Sequence, residues 1–587
     1  MNYSFLYVTL NSTSEIFKFL KPHYKWALLS PLLVGMEVCA ELSQPYLMSK
    51  IVNDGVLHSQ YDIILPIALQ MLIITIIGMI GGVLSIFAAG HVSYSFGADM
   101  RQELFERVSH YSFHNIDKLQ AGSLITRITS DVYKVQSVIQ SSMRLLFRSP
   151  FLFVGSVVMV LSISKTLSSV LLIILPILLG AVFIIVKKAY PIFMKIQGKT
   201  DRLNTVIQES LAGIRVVKAY TQEGKEQQRF QEANDDLIEN NLKVSKLIVL
   251  LGPIMSLILN IGIAIVVFLG AKLIDAGDPI HVGEIMAITN YLTQILMSLM
   301  MAQRIIMSIT EAKASMMRIN EVIVTSDNQE NDTQPNPSSI NDDSCIRFEN
   351  VYFSYNETKE EQHDNYVLKG ISFAIKEGET IGIVGGTGSG KSTLAQLIMR
   401  CYKPCEGSIY LKGKPINGYA SEELHQIVRL AMQNIQLFSG TIAENLRWGK
   451  PDATEEEMRK ACEIAQIDDF IESLDDGYNH IIQQGGVNFS GGQKQRISLA
   501  RTLIGHPEVL VLDDCLNAID LKTEVRLNRA LREIDCTKII VSQRISTIKD
   551  ADRILLLENG VIIGEGSHEE LLKSNTVYQE ICYSQLE

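Results

Sequence analysis

Apolar residues along this chain gather in six runs, each near the roughly 20 residues that a helix needs to cross a hydrocarbon core. They lie at Trp26 to Val52, Ile64 to Ala89, Leu146 to Ser162, Leu167 to Val186, Leu247 to Ile274 and Val282 to Ile306. After Thr325 the pattern breaks. The stretch SDNQENDTQPNPSSINDDS is almost free of apolar residues and contains two prolines, the composition of a solvated linker or of a disordered regulatory segment. From Cys345 onward strand and helix patterns alternate, which predicts an α/β domain. The expected architecture is an α-helical six-span transmembrane domain over residues 1–325, a linker over 326–344 and an α/β domain over 345–587.

Charge orients the spans, because Lys and Arg accumulate in cytoplasmic loops. The connection between the second and third runs holds Arg101, Arg107, Lys118, Arg127, Lys134 and Arg144, and that between the fourth and fifth holds Lys187, Lys188, Lys195, Lys199, Arg202, Arg215 and Lys218. The other connections are short and nearly free of basic residues. Both termini are therefore expected in the cytoplasm, with the chain in the cytoplasmic (inner) membrane. Both basic connections keep helical periodicity, so the helices are expected to extend beyond the bilayer. Residues Ser14 to Leu20 read as a short amphipathic helix in the interface, and no cleavable signal is expected.

Composition narrows the classes. A chain of 587 residues with 47% hydrophobic content, concentrated in the first half, fits a membrane half joined to a soluble half. A net charge of −11 and the lack of a polybasic arm argue against a nucleic-acid partner. The eight cysteines show no metal-ligand spacing and are read as free thiols.

The soluble half carries its chemistry in a glycine-rich loop. Thr380 to Val384 reads as a buried strand and is followed by Gly385, Gly386, Thr387, Gly388, Ser389, Gly390, Lys391, Ser392 and Thr393. This fits G-x-x-x-x-G-K-[ST], in which backbone N–H groups surround phosphates, the lysine reaches the terminal ones and the hydroxyl holds Mg²⁺. A helix over Ser392 to Met399 would point its N-terminus at the same anion. Downstream, the apolar strand Val509 to Leu512 ends in Asp513, placed to hold Mg²⁺ from the other side.

With those motifs quoted, residues 345–587 resemble the nucleotide-binding domain of an ATP-binding cassette (ABC) transporter, and the whole chain resembles an ABC exporter half-transporter. The signature segment FSGGQKQR supplies Ser490, Gly491, Gly492 and Gln493, which by resemblance close over ATP held by the partner subunit. Tyr355 in FENVYFSY resembles the aromatic that stacks on adenine, and Gln433 in AMQNIQLFSGTIAENL resembles the glutamine that senses Mg²⁺ and the membrane domain. AGSLITRITSDV (121–132) and ESLAGIRVVKAY (209–220) resemble the two intracellular loops. Gln483-Gln484-Gly485-Gly486 stands where the family usually has a segment containing Glu. The resemblance implies ATP and Mg²⁺, with Ser392, Gln433 and Asp513 around the metal.

Two positions depart from the hydrolysing pattern: Asp514 replaces the usual glutamate and Gln543 the usual histidine. A group that activates water must lie within about 2.6–3.2 Å, and aspartate, one methylene shorter, sits about 1.5 Å further back. Glutamine donates an amide N–H but cannot become cationic. The expected site binds MgATP and hydrolyses it poorly, while the intact signature completes a competent site on a second, different half-transporter. The other reading is a slow homodimer in which the two substitutions compensate.

The transported molecule is less legible. Glu37 and Glu41, one turn apart with Gln44 nearby, form an acidic face in the first span, which reads either as a site for cationic amphiphiles or as a pair hydrogen-bonded between helices. Asn290, Thr293, Gln294, Met297, Met300, Met301 and Met307 give the sixth span an adaptable polar and thioether lining, or simply helix packing. Export of drugs or other amphiphiles is the leading expectation. A lipid or lipid-conjugate flippase, and a non-pumping channel or regulatory subunit, are the alternatives.

Overall fold

The structure, a computed structural model, describes residues 18–278, 280–325, 343–355 and 366–585. The linker lies almost wholly outside them, as does most of the amphipathic segment Ser14 to Leu20. Its described end belongs to a 3-10 helix, Lys18–His23.

Among the described residues, six helices are long and apolar enough to cross a membrane. They are α1 (Tyr24–Lys50), α2 (Tyr61–Ser109), α3 (Val132–Ile163), α4 (Lys165–Ala212), α5 (Glu223–Asp275) and α6 (Val282–Val324). α2, α4 and α5 run 49, 48 and 53 residues. At 1.5 Å per residue that is about 72–80 Å, more than twice the roughly 30 Å of hydrocarbon. The helices thus extend past the apolar runs, as the periodicity of the basic connections predicts. α1 lies close against α2 because Gly78 and Gly81 have no side chain: a Cβ at Gly78 would sit 2.5 Å from Ala40 Cβ. Small residues serve this role in membrane bundles, where packing replaces the hydrophobic drive. Polar anchors complete the bundle. Tyr291 Oη donates to Leu42 O at 2.6 Å, and Ser149 Oγ to Ser298 O at 2.8 Å. Asp131, fully buried, accepts from Arg318 Nε at 2.7 Å and from Ser315 Oγ at 2.8 Å.

The chain divides into two compact units, residues 1–109 with 122–326, and 110–121 with 327–587. The second unit includes a loop helix, Phe113–Leu119, capped by Ser112. There Asp117 accepts a hydrogen bond from Tyr402 Oη, and Phe113 packs on the Tyr402 ring with centroids 6.4 Å apart.

The rest of this unit is built on a six-stranded sheet of order β12-β11-β3-β10-β9-β6. Its members are β3 (Thr380–Gly385), β6 (Val428–Ala431), β9 (Val509–Asp513), β10 (Thr537–Val541), β11 (Arg553–Glu558) and β12 (Val561–Gly566). All pairs are parallel except β11–β12. A second sheet joins β1 (Ser344–Phe353), β2 (Leu368–Lys376), β4 (Glu406–Leu411) and β5 (Lys414–Pro415), and a two-stranded one joins β7 (Gly440–Thr441) to β8 (Ile481–Ile482). The central strands are buried on both faces, which explains their unbroken apolar runs. Ile381, Ile383, Val509, Val511 and Ile539 enter one core, while Val384, Leu510, Leu512 and Ile540 enter the other, the period of two that a pleated strand imposes. The ends of β3, β9 and β10 thereby come side by side, and the chemistry sits there.

Candidate functional site

β3 runs into the glycine loop, and α7 (Lys391–Ile398) follows it. Gly390, the residue before the helix, has φ +101°, and a Cβ there would also meet Leu368 Cδ2 at 2.6 Å, so both backbone and space require glycine. At Gly386 a Cβ would meet nothing within 4 Å. Lys391 Nζ donates to Gly385 O at 2.8 Å and Gly386 O at 2.7 Å. Burial holds its pKa below the usual lysine range.

Ser392 Oγ donates to Asp513 Oδ1 at 2.9 Å, so the hydroxyl and carboxylate singled out for Mg²⁺ stand together. An all-oxygen pair beside a phosphate cradle suits this hard cation. Burial raises the Asp513 pKa, the Ser392 bond opposes this, and the Asp514 charge adds to it. Tyr355 Oη lies 3.0 Å from Thr393 Oγ1 and donates to Gln396 Oε1 at 3.1 Å. Its ring, 42% exposed, is thus tied to the helix that follows the loop. Gln433 lies exposed on the segment after β6.

The two altered residues touch. β9 and β10 pair with Asp513 opposite Val541, so the residues that follow each strand are neighbours. Asp514 N donates to Val541 O at 2.9 Å, and Gln543 Nε2 donates to Asp514 Oδ2 at 3.2 Å. Asp514 adopts φ +49°, a left-handed conformation in which aspartate is several-fold enriched over most residues. Its other oxygen, Oδ1, is buried without a hydrogen-bond partner.

Sequence reasoning missed what holds the Gln543 loop. Gln585, just past the C-terminal helix α10 (Thr576–Ser584), donates Nε2 to Gln543 O at 2.7 Å and accepts from Ile545 N at 2.8 Å. From the other side the buried Glu524 carboxylate takes Arg544 Nη1 at 3.1 Å and Thr547 Oγ1 at 2.7 Å. No local motif announces either contact.

The signature segment caps a 13-residue helix, α8 (Gly491–Leu503). (It precedes α10 in the chain, as does α9, Leu521–Arg532.) Ser490 Oγ accepts from Gln493 N at 3.3 Å while Gln493 Oε1 accepts from Ser490 N at 2.8 Å, a reciprocal capping box. Gly492 lies against the main chain, where a Cβ would be 2.9 Å from Ala518 O. Ser490 and Gly491 are exposed, so the helix N-terminus presents its orphan N–H groups outward.

In the membrane half the acidic face proves to be charge-balanced. Arg148 Nη2 donates to Glu41 at 2.8 Å, its Nη1 to Glu37, and Arg144 Nη2 lies 3.4 Å from Glu37. The carboxylates are thus bonded between helices, to arginines of α3. In the sequence Arg144 falls in the basic connection because the apolar run starts only at Leu146, but α3 is continuous from Val132 and carries both arginines into the bundle. The available signal was the matching spacing: Glu37 and Glu41 on one helix, Arg144 and Arg148 on another, each four apart.

On α6, Asn290, Thr293, Met297, Met300 and Arg304 form one exposed stripe, whereas Met301 is half-buried and the Met307 side chain lies outside the described residues. Asn290 Nδ2 and Thr293 Oγ1 bond back to Met286 O and Thr289 O, at 2.9 and 3.1 Å. Gln294 turns inward and accepts from Ser156 Oγ at 3.2 Å. All eight cysteines are free thiols.

Comparison with known proteins matches residues 28–299 to the ABC transporter transmembrane region and 368–517 to the ABC transporter domain. The uncharacterized ABC transporter ATP-binding protein YfiB of Bacillus subtilis is 39% identical over 568 residues, covering 97% of each chain. The fatty acid ABC transporter ATP-binding/permease protein of Mycobacterium bovis is 32% identical over 82% of this chain and 75% of its own. A solved bacterial Atm1-family ABC exporter with ATP bound superposes with a TM-score of 0.77 at 25% identity, over 97% of this chain and 99% of that one.

Proposed function

Because this chain belongs to the ABC transporter family and joins the membrane and ATP-binding halves of an ATP-driven exporter, we propose that it is the degenerate-site subunit of a heterodimeric exporter of amphiphilic small molecules. In this reading it lies in the cytoplasmic membrane with both termini inside. Its own loop, Gly385 to Thr393, holds ATP with Mg²⁺ between Ser392 and Asp513, and its Ser490 to Gln493 segment completes the ATP site of a second half-transporter.

The contact between Gln543 and Asp514 carries the reading. The acidic group that would orient water is short and is held by an amide. One of the amide's two N–H groups is directed at that carboxylate, and the other cannot supply the cationic charge or the proton that a histidine would. Loss of positioned acid–base assistance costs about 10²–10⁴-fold in rate, whereas the binding elements Lys391, Ser392 and Asp513 are all in place. The exposed Asn290, Thr293, Met297 and Met300 on α6, soft and weakly polar, support an amphiphile as cargo. The pairing of Glu37 and Glu41 withdraws support from cationic drugs specifically, and the mycobacterial relative's name supports a lipid-like cargo as the second reading.

The test is ATP turnover and binding by the purified chain alone. Binding that is lost on Lys391→Ala, with turnover that rises about 10²–10⁴-fold only when Asp514→Glu and Gln543→His are combined, is the expected result. Brisk hydrolysis by the unaltered chain alone would refute the proposal.

A further inference from the structure

The segment that leads into the first span is pinned to its neighbour and leaves its cations unused. The 3-10 helix Lys18–His23 turns directly into α1, and three contacts hold this stretch on α2. His23 Nε2 lies 2.8 Å from Asp99 Oδ2, the Phe19 ring meets the buried Phe96 edge-on with centroids 6.3 Å apart, and Trp26 packs on His91 at 5.1 Å. The apolar run of α1 begins at Trp26 and that of α2 ends at Ala89. These contacts therefore lie just outside the hydrocarbon, at headgroup depth. Tyr24 and Trp26 are exposed there, the usual place of aromatics at a membrane surface.

Lys21 and Lys25 are exposed at this level, and among the described residues neither has a hydrogen bond or an ion pair. No acidic residue occurs between Lys18 and Met36, and Asp99, the only acid in the α2 stretch from His91 to Met100, is taken by His23. On these two stretches no carboxylate is left to neutralise the lysines. From Lys25 an exposed stripe continues along α1: Leu28, Leu32 and Met36 follow at helical spacing, whereas Leu33 and Val34 turn into the bundle. At 1.5 Å per residue, Lys25 to Met36 covers about 16 Å, close to half of the roughly 30 Å of hydrocarbon. A cationic head above an apolar track one leaflet long has the shape and charge that an anionic phospholipid complements.

We propose that Lys21 and Lys25 hold the phosphate of an anionic phospholipid whose acyl chain lies along Leu28, Leu32 and Met36, as a resident lipid and not as cargo. The proposal needs only that the chain lies in a membrane and is independent of what it exports. Each lysine near the surface favours an anionic lipid by about fivefold. With two lysines, and with salt screening allowed for, the preference over a zwitterionic lipid is at least about tenfold.

The chain has two tryptophans, Trp26 and Trp448, so Trp448→Phe leaves Trp26 as a single reporter beside the site. The full chain carrying that change is placed in phosphatidylcholine nanodiscs containing increasing fractions of either dibrominated phosphatidylglycerol or dibrominated phosphatidylcholine, whose bromines quench a tryptophan in contact. Quenching by the glycerol lipid at a mole fraction at least about tenfold lower is expected, with the difference shrinking as NaCl is raised. Lys21→Gln combined with Lys25→Gln should bring the two lipids to near parity, while the Lys21→Arg, Lys25→Arg pair should keep the preference. That second pair separates loss of charge from loss of fold. Lys50→Gln, at the far end of α1, should change nothing. Parity of the two lipids with the lysines in place would overturn the proposal, as would a preference that survives loss of both or falls equally with Lys50→Gln. Relief of quenching by soluble glycerol phosphate would overturn the lipid in favour of a free anion.

Discussion

Removing Arg148 should unsettle the membrane half. The side chain is 17% exposed and bridges Glu37, 20% exposed, and Glu41, 36% exposed. Each charge-assisted bond is worth about 1.5–3 kcal/mol, and breaking a buried pair by deleting one partner typically costs about 3–5 kcal/mol. Partial exposure of the glutamates lowers this, so we expect about 2–4 kcal/mol for Arg148→Met. For a large unit, at about 2 °C per kcal/mol, the apparent melting temperature in detergent should fall by about 4–8 °C. A double-mutant cycle with Glu37→Gln isolates the pair and should give a coupling of about 1–3 kcal/mol. Arg148→Lys keeps the charge but cannot span both carboxylates, so it should lie between the wild type and Arg148→Met. Additivity of the two single substitutions within about 0.5 kcal/mol would refute the bridge as a stabilising element.

Other outcomes follow from the soluble half. Gln585→Ala deletes both side-chain bonds to the loop around Gln543, so amide exchange over 543–548 should speed up while ATP binding stays unchanged; unaltered exchange would exclude the clamp. Burial raises the Asp513 pKa above the usual aspartate range. Since only the carboxylate form holds Mg²⁺, Mg²⁺-dependent nucleotide affinity is full above the raised pKa and should fall on acidification from a higher pH than for an ordinary aspartate, a dependence that Asp513→Asn abolishes. The Cys515 thiol, buried and pushed up to about 12, should resist iodoacetamide at neutral pH until the chain is unfolded in SDS, as peptide mapping would reveal.

Much of this was legible in the sequence, for identifiable reasons. A membrane helix must satisfy its backbone internally, so its length and apolarity can be read locally; the six runs are all helices. The glycine loop is equally local, because anion binding by consecutive N–H groups fixes residue types at fixed offsets. Helix ends were not legible, because apolarity reports the bilayer and not the hydrogen-bond ladder. Leu146 marked the start of a run whose helix begins at Val132, and that offset concealed Arg144 and Arg148 from Glu37 and Glu41. Nor was the Gln585 clamp legible: it depends on the chain returning to a loop 42 residues upstream, and a lone glutamine carries no signal of its partner.

The contact between positions 514 and 543 bears on the proposal that the site hydrolyses ATP poorly. They are 29 residues apart in sequence, yet the parallel register of β9 and β10 makes them neighbours, with Asp514 N bonded to Val541 O. Changes at neighbouring positions do not act independently. A glutamate restored at 514 would meet an amide still offering its N–H, and a histidine restored at 543 would face a short carboxylate able to hold it away from a phosphate. Each single reversion therefore leaves the other residue opposing it. The two altered positions are best understood as one unit, with Gln585 and Glu524 fixing the loop on which half of it stands.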